Sequence, residues 1–317
     1  MRIVRSLDDY RADADLMLTI GVFDGVHIGH RAVLDRLSSR RRPGLISGAL
    51  TFVQHPQEFL NPGAGPKVLT TVDEKINLLD ACNLDVLFLL TFDERIQRLA
   101  PETFLEDVLL RRLRTRRLVV GDNWRFGKER AGDVALARGF LEACGCAVES
   151  ADLLARDGER VSSSRIRDLI SSRKFTDADG LLGSRYAVRG TVAGGEGRGH
   201  VLGFPTANLA IAPEKLVPPP GIYGATAHHD GIDRTAVISI GDKPTFGGTH
   251  VVVEAYLLDF DRSIYGETLA LREWTFVRDQ VRYDGPAQLV AQMRRDVADV
   301  RALAGRLDLT PRVSRGG

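Results

Sequence analysis

The sequence predicts a two-domain α/β protein, with a parallel sheet covered by helices in the N-terminal half and a small antiparallel β-barrel plus a terminal helix in the C-terminal half. In the first half, apolar β-rich runs alternate with helical patterns from residue 16 to about residue 150. Near Gly183 the pattern changes to short β-branched runs separated by Gly and Pro. The length of 317 residues is enough for two domains that each bury an apolar core.

The N-terminal half repeats a strand and helix unit. The predicted strands are residues 16–23, 44–52, 85–90 and 117–120, and the predicted helices begin near residues 28, 71, 101 and 133. Strands that are apolar along their whole length predict a parallel sheet with helices on both faces. Ligands of such sheets bind beyond the carboxyl ends of the strands. A site is therefore expected in the loops after Val22, Phe52, Leu90 and Val120.

The C-terminal half contains about six short runs that predict antiparallel strands, and one helical pattern at residues 286–303 follows them. Turn signals between the runs favour a small barrel. We interpret the polar stretch 171–180 as the junction between the halves. This interpretation divides the chain into a domain of residues 1–182 and a domain of residues 183–317.

The composition excludes several classes of protein. Lys and Arg total 43 against 42 Asp and Glu, a net charge of +1, so no nucleic-acid partner is expected. The apolar stretch Leu84–Leu90 is too short to cross a bilayer, and Met1–Tyr10 lacks the apolar core of a signal peptide. Cys82, Cys144 and Cys146 are an odd number without zinc-ligand spacing. We expect reduced, mostly buried thiols and a cytoplasmic protein.

The loop after the first long strand carries an H-x-G-H motif formed by His27, Gly29 and His30. With seven His and 32 Gly in the chain, roughly 0.02 such motifs are expected by chance. Two imidazoles beside a helix N-terminus can donate N–H groups to phosphate oxygens, and Gly25 and Gly29 let the backbone approach a ligand closely. The alternative is that both histidines cap the helix or fill the core.

A run of three serines, Ser162, Ser163 and Ser164, opens a predicted helix near the end of the same half. Their hydroxyls can cap the helix, and Arg165 and Arg167 can reach a polyphosphate. Taken alone, serines followed by arginines usually mark only the start of a helix. The motif gains weight because H-x-G-H stands in the same half.

The C-terminal half has a glycine-rich loop that contains Gly197, Gly199 and Gly203. Its backbone amides can wrap phosphates, although a glycine-rich loop alone is weak evidence. Thr206 and Asn208 follow, two residues apart on an extended segment, where their side-chain oxygens can share one hard cation. Turn chemistry at a strand edge is the alternative.

The N-terminal motifs resemble those of the nucleotidylyltransferases. H-x-G-H and the later RVSSSRIR are similar to the family's signature pair, and GVFDGVHIGHRAVL, TFVQHP, LTTVDEKINLL and VVGDNWRFGKERAGD look like the FMN adenylyltransferase branch. The resemblance implies a Rossmann-like domain in which His27 and His30 bind the ATP phosphates and the reacting α-phosphate. It also implies ATP or phosphate binding by Gly21, Phe23, Asp24, Gly29, Ser162, Ser163, Ser164 and Arg167, and flavin binding by Asn123.

The C-terminal half resembles riboflavin kinase over nearly its whole length, through GFPTAN, PPPGIYGA, SIGDKPTFGG and VEAYLLDFDRSIYGETL. The resemblance implies that Thr206 and Asn208 bind Mg²⁺ together with ATP, and that Glu254 takes the proton from the riboflavin 5′-hydroxyl. It further implies phosphate binding by Gly197, Gly199 and Gly203, and flavin binding by Arg278. Strand alternation alone leaves open whether Glu254 lines a site or faces solvent.

A few positions depart from the family patterns. Asn123 and Trp124 stand where Asp and Phe are frequent, and Ser164 stands where Thr is frequent. His200 stands where Arg is common, which exchanges a permanent charge for a titratable imidazole.

Together the two resemblances predict a bifunctional, Mg²⁺-dependent enzyme of flavin cofactor biosynthesis. It would phosphorylate riboflavin with ATP to give FMN, and then adenylylate FMN with ATP to give FAD and pyrophosphate. Its partners would be riboflavin, FMN and ATP, without nucleic acid or membrane, and a homo-oligomer is compatible with the sequence. Two alternatives stay open: only one activity is retained, or the protein is a non-catalytic flavin-binding regulator. A dehydrogenase is disfavoured, because no G-x-G-x-x-G follows the first strand.

Overall fold

The structure is a computed structural model and describes residues 1–39, 43–152, 154–194, 199, 202–245 and 248–306. The chain divides into two compact units, Met1–Arg165 and Ile166–Gly317. The predicted domain boundary after residue 182 stays a prediction.

The first unit contains ten strands and a series of helices in its described residues. Its strands are β1 (Arg2–Val4), β2 (Asp15–Ile20), β3 (Leu45–Phe52), β4 (Val86–Leu90), β5 (Thr115–Gly121), β6 (Arg125–Phe126), β7 (Gly132–Asp133), β8 (Ala147–Ala151), β9 (Ala155–Arg156) and β10 (Glu159–Arg160). Its α-helices are α1 (Ile28–Ser38), α2 (Pro56–Leu60), α3 (Val72–Asp80), α4 (Glu94–Arg98), α5 (Pro101–Thr103), which continues as a π-helix (Phe104–Arg112), and α6 (Val134–Ala143). Short 3-10 turns lie at Asp24–Val26 and Lys128–Arg130.

Six of these strands form one parallel sheet in the order β1-β4-β3-β2-β5-β8. From β2, the chain adds β3 and β4 on one side and later adds β5 and β8 on the other. The strand order therefore reverses between β2 and β5, and a crevice for ligands opens at such a switch point. The H-x-G-H loop follows β2, so its sequence position already places it at this crevice.

The core of this unit lies on both faces of the sheet. Alternate residues of β2 enter two separate apolar clusters: Leu16 and Leu18 pack with Phe88 on one face, while Met17 packs with Leu87 on the other. Burial of neighbouring residues on opposite faces explains why these strands are apolar without interruption. The predicted parallel sheet with two covered faces is confirmed.

The second unit is a closed antiparallel barrel with helices around it. Helix α7 (Ser163–Ser171) spans the division between the units, and α8 (Phe175–Leu182) follows. The barrel strands are β11 (Val188–Ala193), β12 (Ala207–Ala210), β13 (Gly221–His229), β14 (Ile232–Thr245), β15 (Gly248–Leu257) and β16 (Thr268–Arg278), and they close in the order β11-β12-β15-β14-β13-β16. The terminal helix α9 (Pro286–Arg306) completes the predicted architecture, which is confirmed.

The structure adds detail to two of the finer expectations. The stretch interpreted as a polar junction contains α8, whose Phe175, Ala178, Leu181 and Leu182 form a buried face that the intervening polar residues obscure. Cys144 is exposed just after α6, whereas Cys82 is partly buried and Cys146 is buried; all three are free thiols. Within the described part of the chain, no helix combines the length and the apolar character needed to cross a membrane.

Candidate active sites

The loop after β2 turns sharply into α1. Phe23 adopts a left-handed conformation with φ of 51° where it begins the 3-10 turn, and Gly25 follows with φ of 81°. A side chain at Gly21 would have its Cβ 3.2 Å from the Phe23 ring. The Phe23 ring in turn contacts His30 edge-on, with centroids 5.2 Å apart. The glycine and the left-handed residues thus allow the turn that places the motif at the sheet edge.

Asp24 fixes this loop from inside. Its buried carboxylate accepts hydrogen bonds from the backbone N–H groups of Leu69 at 2.8 Å and Thr70 at 3.1 Å. The Thr70 hydroxyl accepts a hydrogen bond from the Gly25 N–H. Asp24 therefore holds the loop against the segment that leads into α3, which indicates a structural task for this predicted phosphate-binding residue.

The two histidines of the motif stack, with ring centroids 3.6 Å apart. His27 caps α1, because its Nδ1 accepts a hydrogen bond from the His30 N–H at 3.3 Å. An accepting Nδ1 carries no proton, so a neutral His27 has its proton on Nε2, where it can donate to a phosphate oxygen. A Cβ atom at Gly29 would lie only 3.2 Å from the His27 ring, so the absence of a side chain there leaves room for the stacked rings.

His30 is a neutral imidazole at pH 7. Its pKa lies well below the usual histidine value, because burial removes water from the ring and because His27 and Lys75 are close. Its Nδ1 is buried and has no hydrogen-bond partner in the described part of the chain. Native proteins rarely leave such an atom unpaired, so a ligand that completes its hydrogen bonding fits the site.

The serine run meets the same loop. The Ser163 hydroxyl donates a hydrogen bond to the Asp24 carbonyl oxygen at 3.0 Å, and the Ser162 Oγ caps α7 by accepting from the Arg165 N–H. Ser164 is exposed. Two motifs 139 residues apart in the sequence are thus brought into contact.

The two arginines of this motif have different placements. The Arg165 guanidinium binds Glu159 and the carbonyl oxygens of Arg156 and Glu159, so it secures the β9–β10 hairpin rather than a polyphosphate. Arg167 is four residues after Ser163 and therefore lies on the same face of α7.

Aromatic side chains line the carboxyl ends of β3, β4 and β5. The rings of Phe52 and Phe92 contact edge-on at 5.1 Å, and Phe59 contacts Phe92 at 5.7 Å. After β5, Trp124 stacks on Phe126 at 4.2 Å. Asn123, which precedes this pair, is exposed, and its Oδ1 lies 3.2 Å from the point that a Cβ of Gly121 would occupy. Flat apolar surfaces of this kind suit a planar ring ligand.

Sequence reasoning missed Lys75 in α3, which is buried behind the H-x-G-H loop. Its ammonium group donates to the carbonyl oxygens of Phe52 at 2.6 Å and Val22 at 3.4 Å. The available signal was the spacing: Lys75 is four residues before the buried Leu79 and next to Ile76, on the apolar face of an amphipathic helix.

The second site is a cavity of about 1170 Å³ within the second unit. Its lining includes Thr206, Asn208, Glu254, Arg278 and Gly199, which are residues predicted from the sequence. A single small-molecule site occupies roughly 300–1,000 Å³, so this cavity has room for two substrates.

Glu254 and Asn208 come together through strand register. Asn208 of β12 pairs with Glu254 of β15, and Glu254 pairs in turn with Ser239 of β14. Side chains of directly paired residues point to the same face, with Cβ atoms roughly 4.5–5.5 Å apart. The neighbouring residues Val253 and Ala255 are buried, whereas Glu254 is partly exposed and lines the cavity.

The loop before β12 is shaped around Thr206. A Cβ at Gly199 would clash with the Phe204 carbonyl oxygen and would lie 3.0 Å from the Thr206 hydroxyl oxygen. The Gly199 carbonyl oxygen accepts hydrogen bonds from the N–H groups of Leu202 and Phe204. Gly203 has φ of 82° and supplies the turn. Gly197 and His200 lie outside the described residues.

Arg278 lines the cavity and also holds α9. Its guanidinium binds the buried carboxylate of Asp296 through two hydrogen bonds of 2.8 and 2.6 Å, and Gln292 donates to the same carboxylate at 3.0 Å. A two-pronged pair of this kind fixes geometry as well as charge. It anchors the helix that forms one wall of the cavity.

The comparisons with known proteins match both halves of the chain. Residues 9–165 match the family model described as FAD synthetase, and residues 182–304 match the one described as riboflavin kinase. The chain is 32% identical to the bifunctional riboflavin kinase/FMN adenylyltransferase of Listeria monocytogenes, over 95% of this chain and 96% of the relative. The chain belongs to the bifunctional riboflavin kinase/FMN adenylyltransferase family. The predicted family, enzyme class and pair of activities are confirmed.

A second curated relative and a solved structure are similar to this chain over most of its length. The bifunctional riboflavin kinase/FMN adenylyltransferase of Escherichia coli K12 is 33% identical over 91% of this chain and 93% of its own length. A crystal structure described as a macrolide-efflux protein from Streptococcus pneumoniae shares the fold with a TM-score of 0.84 and 26% identity, over 94% of this chain and 98% of that one. Both halves of the family's architecture are therefore present in this chain.

Proposed function

We propose that this chain converts riboflavin to FMN at the barrel cavity and FMN to FAD at the H-x-G-H loop, using ATP in both steps. The observation that carries the proposal is the meeting of separate motifs at two sites. Asn208 and Glu254 pair in register beside the cavity, and Ser163 bonds to the loop that bears His27. A flavin-binding regulator without turnover would need neither arrangement.

In the kinase step, Glu254 acts as the general base. It takes the proton of the riboflavin 5′-hydroxyl as that oxygen forms a bond to the γ-phosphorus of ATP, and the bond from γ-phosphorus to the bridging oxygen breaks to release ADP. Helix α9, held by the Arg278–Asp296 pair, forms one wall of the cavity beside Glu254.

The proposed Mg²⁺ site is supported by its donor set. Thr206 and Asn208 present a hydroxyl and an amide oxygen to the cavity, and hard cations prefer oxygen ligands. The described residues contain no group of three or more His, Cys, Asp and Glu suited to a metal. A cation held by two neutral oxygens together with substrate phosphates fits that finding, since Mg²⁺ commonly binds this way. Bound there, Mg²⁺ would neutralise phosphate charge.

In the adenylyltransferase step, no proton has to be removed. An oxygen of the ionised FMN phosphate attacks the α-phosphorus of ATP, and the bond to pyrophosphate breaks. The work of the protein is to bring two anions together and to donate hydrogen bonds to the charge that develops. His27 Nε2, His30 and the N-terminus of α1 supply such donors, with Ser162, Ser163, Ser164 and Arg167 proposed to hold the pyrophosphate.

The further terms of the proposal are a cytoplasmic location and small-molecule partners only. The three free thiols and the net charge of +1 support them. A homo-oligomer is compatible with these features.

The direct test is to incubate the full chain with riboflavin, ATP and Mg²⁺ and to follow FMN, FAD, ADP and pyrophosphate over time. We expect ADP and FMN first, then pyrophosphate and FAD. Formation of FMN without FAD, or of FAD only from added FMN, would show that one activity alone is retained. Flavin binding without any product would show a regulator.

A further inference from the structure

The buried Lys75 has no part in the two reactions as derived so far. Its side chain is 6% exposed, and its neighbours on the helix face, Val72, Ile76 and Leu79, pack into the apolar core. Burying an ammonium group is unfavourable unless its charge is compensated or used. The position of this charge directly behind the adenylyltransferase loop therefore calls for an explanation.

The contacts of Lys75 lie at the sheet edge. The ammonium group donates to the Phe52 carbonyl oxygen, at the end of β3, and to the Val22 carbonyl oxygen, in the loop after β2. The Thr51 hydroxyl donates to the same Val22 oxygen at 3.0 Å. Lys75 thus joins the carboxyl ends of the two central strands at the point where the H-x-G-H loop begins.

In the described part of the chain, two ionisable side chains, Asp24 and His30, face Lys75. Asp24 faces it from the 3-10 turn, and its Oδ1 is occupied by backbone N–H groups of residues 69 and 70. His30 faces it from α1, with His27 stacked on His30. On α3 itself, the Glu74 carboxylate accepts from the Thr71 N–H. The positive charge of Lys75 therefore acts on His30 from the side of α3.

We propose that Lys75 is a positioning residue for adenylyl transfer, whose charge, fixed by the Val22 and Phe52 carbonyl oxygens, stabilises the phosphates of ATP and FMN where they meet beside His27 and His30. Lys75 forms no covalent bond and transfers no proton in the step. The inference rests on the proposed adenylyltransferase function and adds to it a charge that neutral imidazoles do not supply.

Protonation separates this role from a purely structural one. Burial lowers the pKa of Lys75 to about 8, and the nearby Asp24 offsets part of that effect. A neutral amine still has two N–H groups, enough to keep both carbonyl hydrogen bonds. Loss of the proton would therefore remove the charge and leave the tie between the strands in place.

The experiment measures kcat/KM for ATP in FAD formation from FMN, using the full chain between pH 7 and 9.5. We expect a fall of roughly 10- to 30-fold with a midpoint near pH 8, because kcat/KM reports groups of the free enzyme. The midpoint in kcat should lie at higher pH, since bound phosphates favour the charged amine. Riboflavin phosphorylation by the same chain is the internal control and should lack this midpoint.

Three variants test whether the pH dependence of FAD formation comes from Lys75. Lys75→Arg keeps the charge throughout this range and should lose the midpoint, while Lys75→Met should lower FAD formation at pH 7 on the order of 10- to 100-fold with riboflavin phosphorylation retained. Lys67→Met removes an exposed lysine and should keep the wild-type profile.

The outcomes are separable. A wild-type profile without a fall, or a midpoint that persists in Lys75→Arg, would overturn the role of Lys75 while FAD formation itself stands. If the Lys75 variants do not fold, the wild-type profile alone decides. A wild-type chain that makes no FAD at any pH would instead remove the proposed function, and the inference with it.

Discussion

Asn208 and Glu254 lie directly opposite each other across β12 and β15. This register brings a predicted metal-binding amide and a predicted general base to one level of the barrel, although 46 positions separate them in the sequence. A base beside the proposed phosphate-binding residues would be positioned to assist attack of a hydroxyl on ATP. Mutations can test the two residues separately, because a different role is proposed for each of them.

Glu254→Gln should stop riboflavin phosphorylation. The amide keeps the size and much of the hydrogen bonding but cannot take a proton, and loss of a general base typically lowers kcat about 10²–10⁴-fold. Adenylylation of added FMN should be unchanged, which would confine the effect to the kinase step, and an unchanged melting temperature controls for folding of the barrel. Glu214→Gln, an exposed glutamate of the same unit, is the matched control. Near wild-type kinase turnover in Glu254→Gln would exclude Glu254 as the base.

Thr206→Val and Asn208→Leu should each shift the Mg²⁺ dependence of the kinase step. Each change removes one oxygen that a hard cation prefers, so a higher Mg²⁺ concentration should be needed for half-maximal rate. Thr191→Val on the exposed side of β11 removes a hydroxyl elsewhere in the barrel and should have no effect. Titrations that overlay the wild type would show that this pair does not hold the metal.

His27→Ala should abolish FAD formation and leave riboflavin phosphorylation nearly intact. The variant loses both the proposed hydrogen-bond donor to phosphate and the cap of α1, and loss of a cap costs about 0.5–2 kcal/mol. His27→Asn separates the two effects, because Asn is a good N-cap but has no imidazole N–H. We expect Asn to restore the melting temperature but not the rate of FAD formation. Recovery of that rate would reduce His27 to a capping residue.

Asp296→Asn should loosen the wall of the kinase cavity. The change leaves the Arg278 guanidinium without its carboxylate partner, and breaking a buried ion pair from one side costs about 3–5 kcal/mol. The melting temperature of the barrel should fall and KM for riboflavin should rise, as measured by calorimetry and steady-state kinetics. Asp299→Asn, an exposed aspartate on the same helix, is the control. Unchanged KM in a destabilised variant would limit the pair to a structural role.

The sequence predicted the architecture, and it predicted most of the residues that lie together at the two candidate sites, for a physical reason. Long apolar strands, helix caps and glycine-rich turns are local signals, and the H-x-G-H motif and the Thr206 and Asn208 pair are local as well. The missed residues act through long-range contacts. Asp296 becomes significant only because α9 packs beside β16, and Lys75 only because the ends of β2 and β3 meet at its ammonium group. The buried face of α8 was hidden by aspartates at its polar positions.

The last prediction concerns pH and the stability of the first unit. Because the folded state holds the pKa of His30 well below the usual value, the unfolded chain binds more protons there below about pH 6.5. Stability must then fall as the pH falls below that value.

Replacing Trp274 with Phe leaves Trp124 as the fluorescent reporter of this unit, since the chain has two tryptophans. Between pH 7 and 5.5, the free energy of unfolding should fall less in the Trp274→Phe protein that also carries His30→Gln than in the Trp274→Phe parent. His55→Asn, which removes another helix-capping histidine but can keep the cap, should follow the parent. Parallel pH curves for the parent and His30→Gln would show that His30 is not held neutral by the fold.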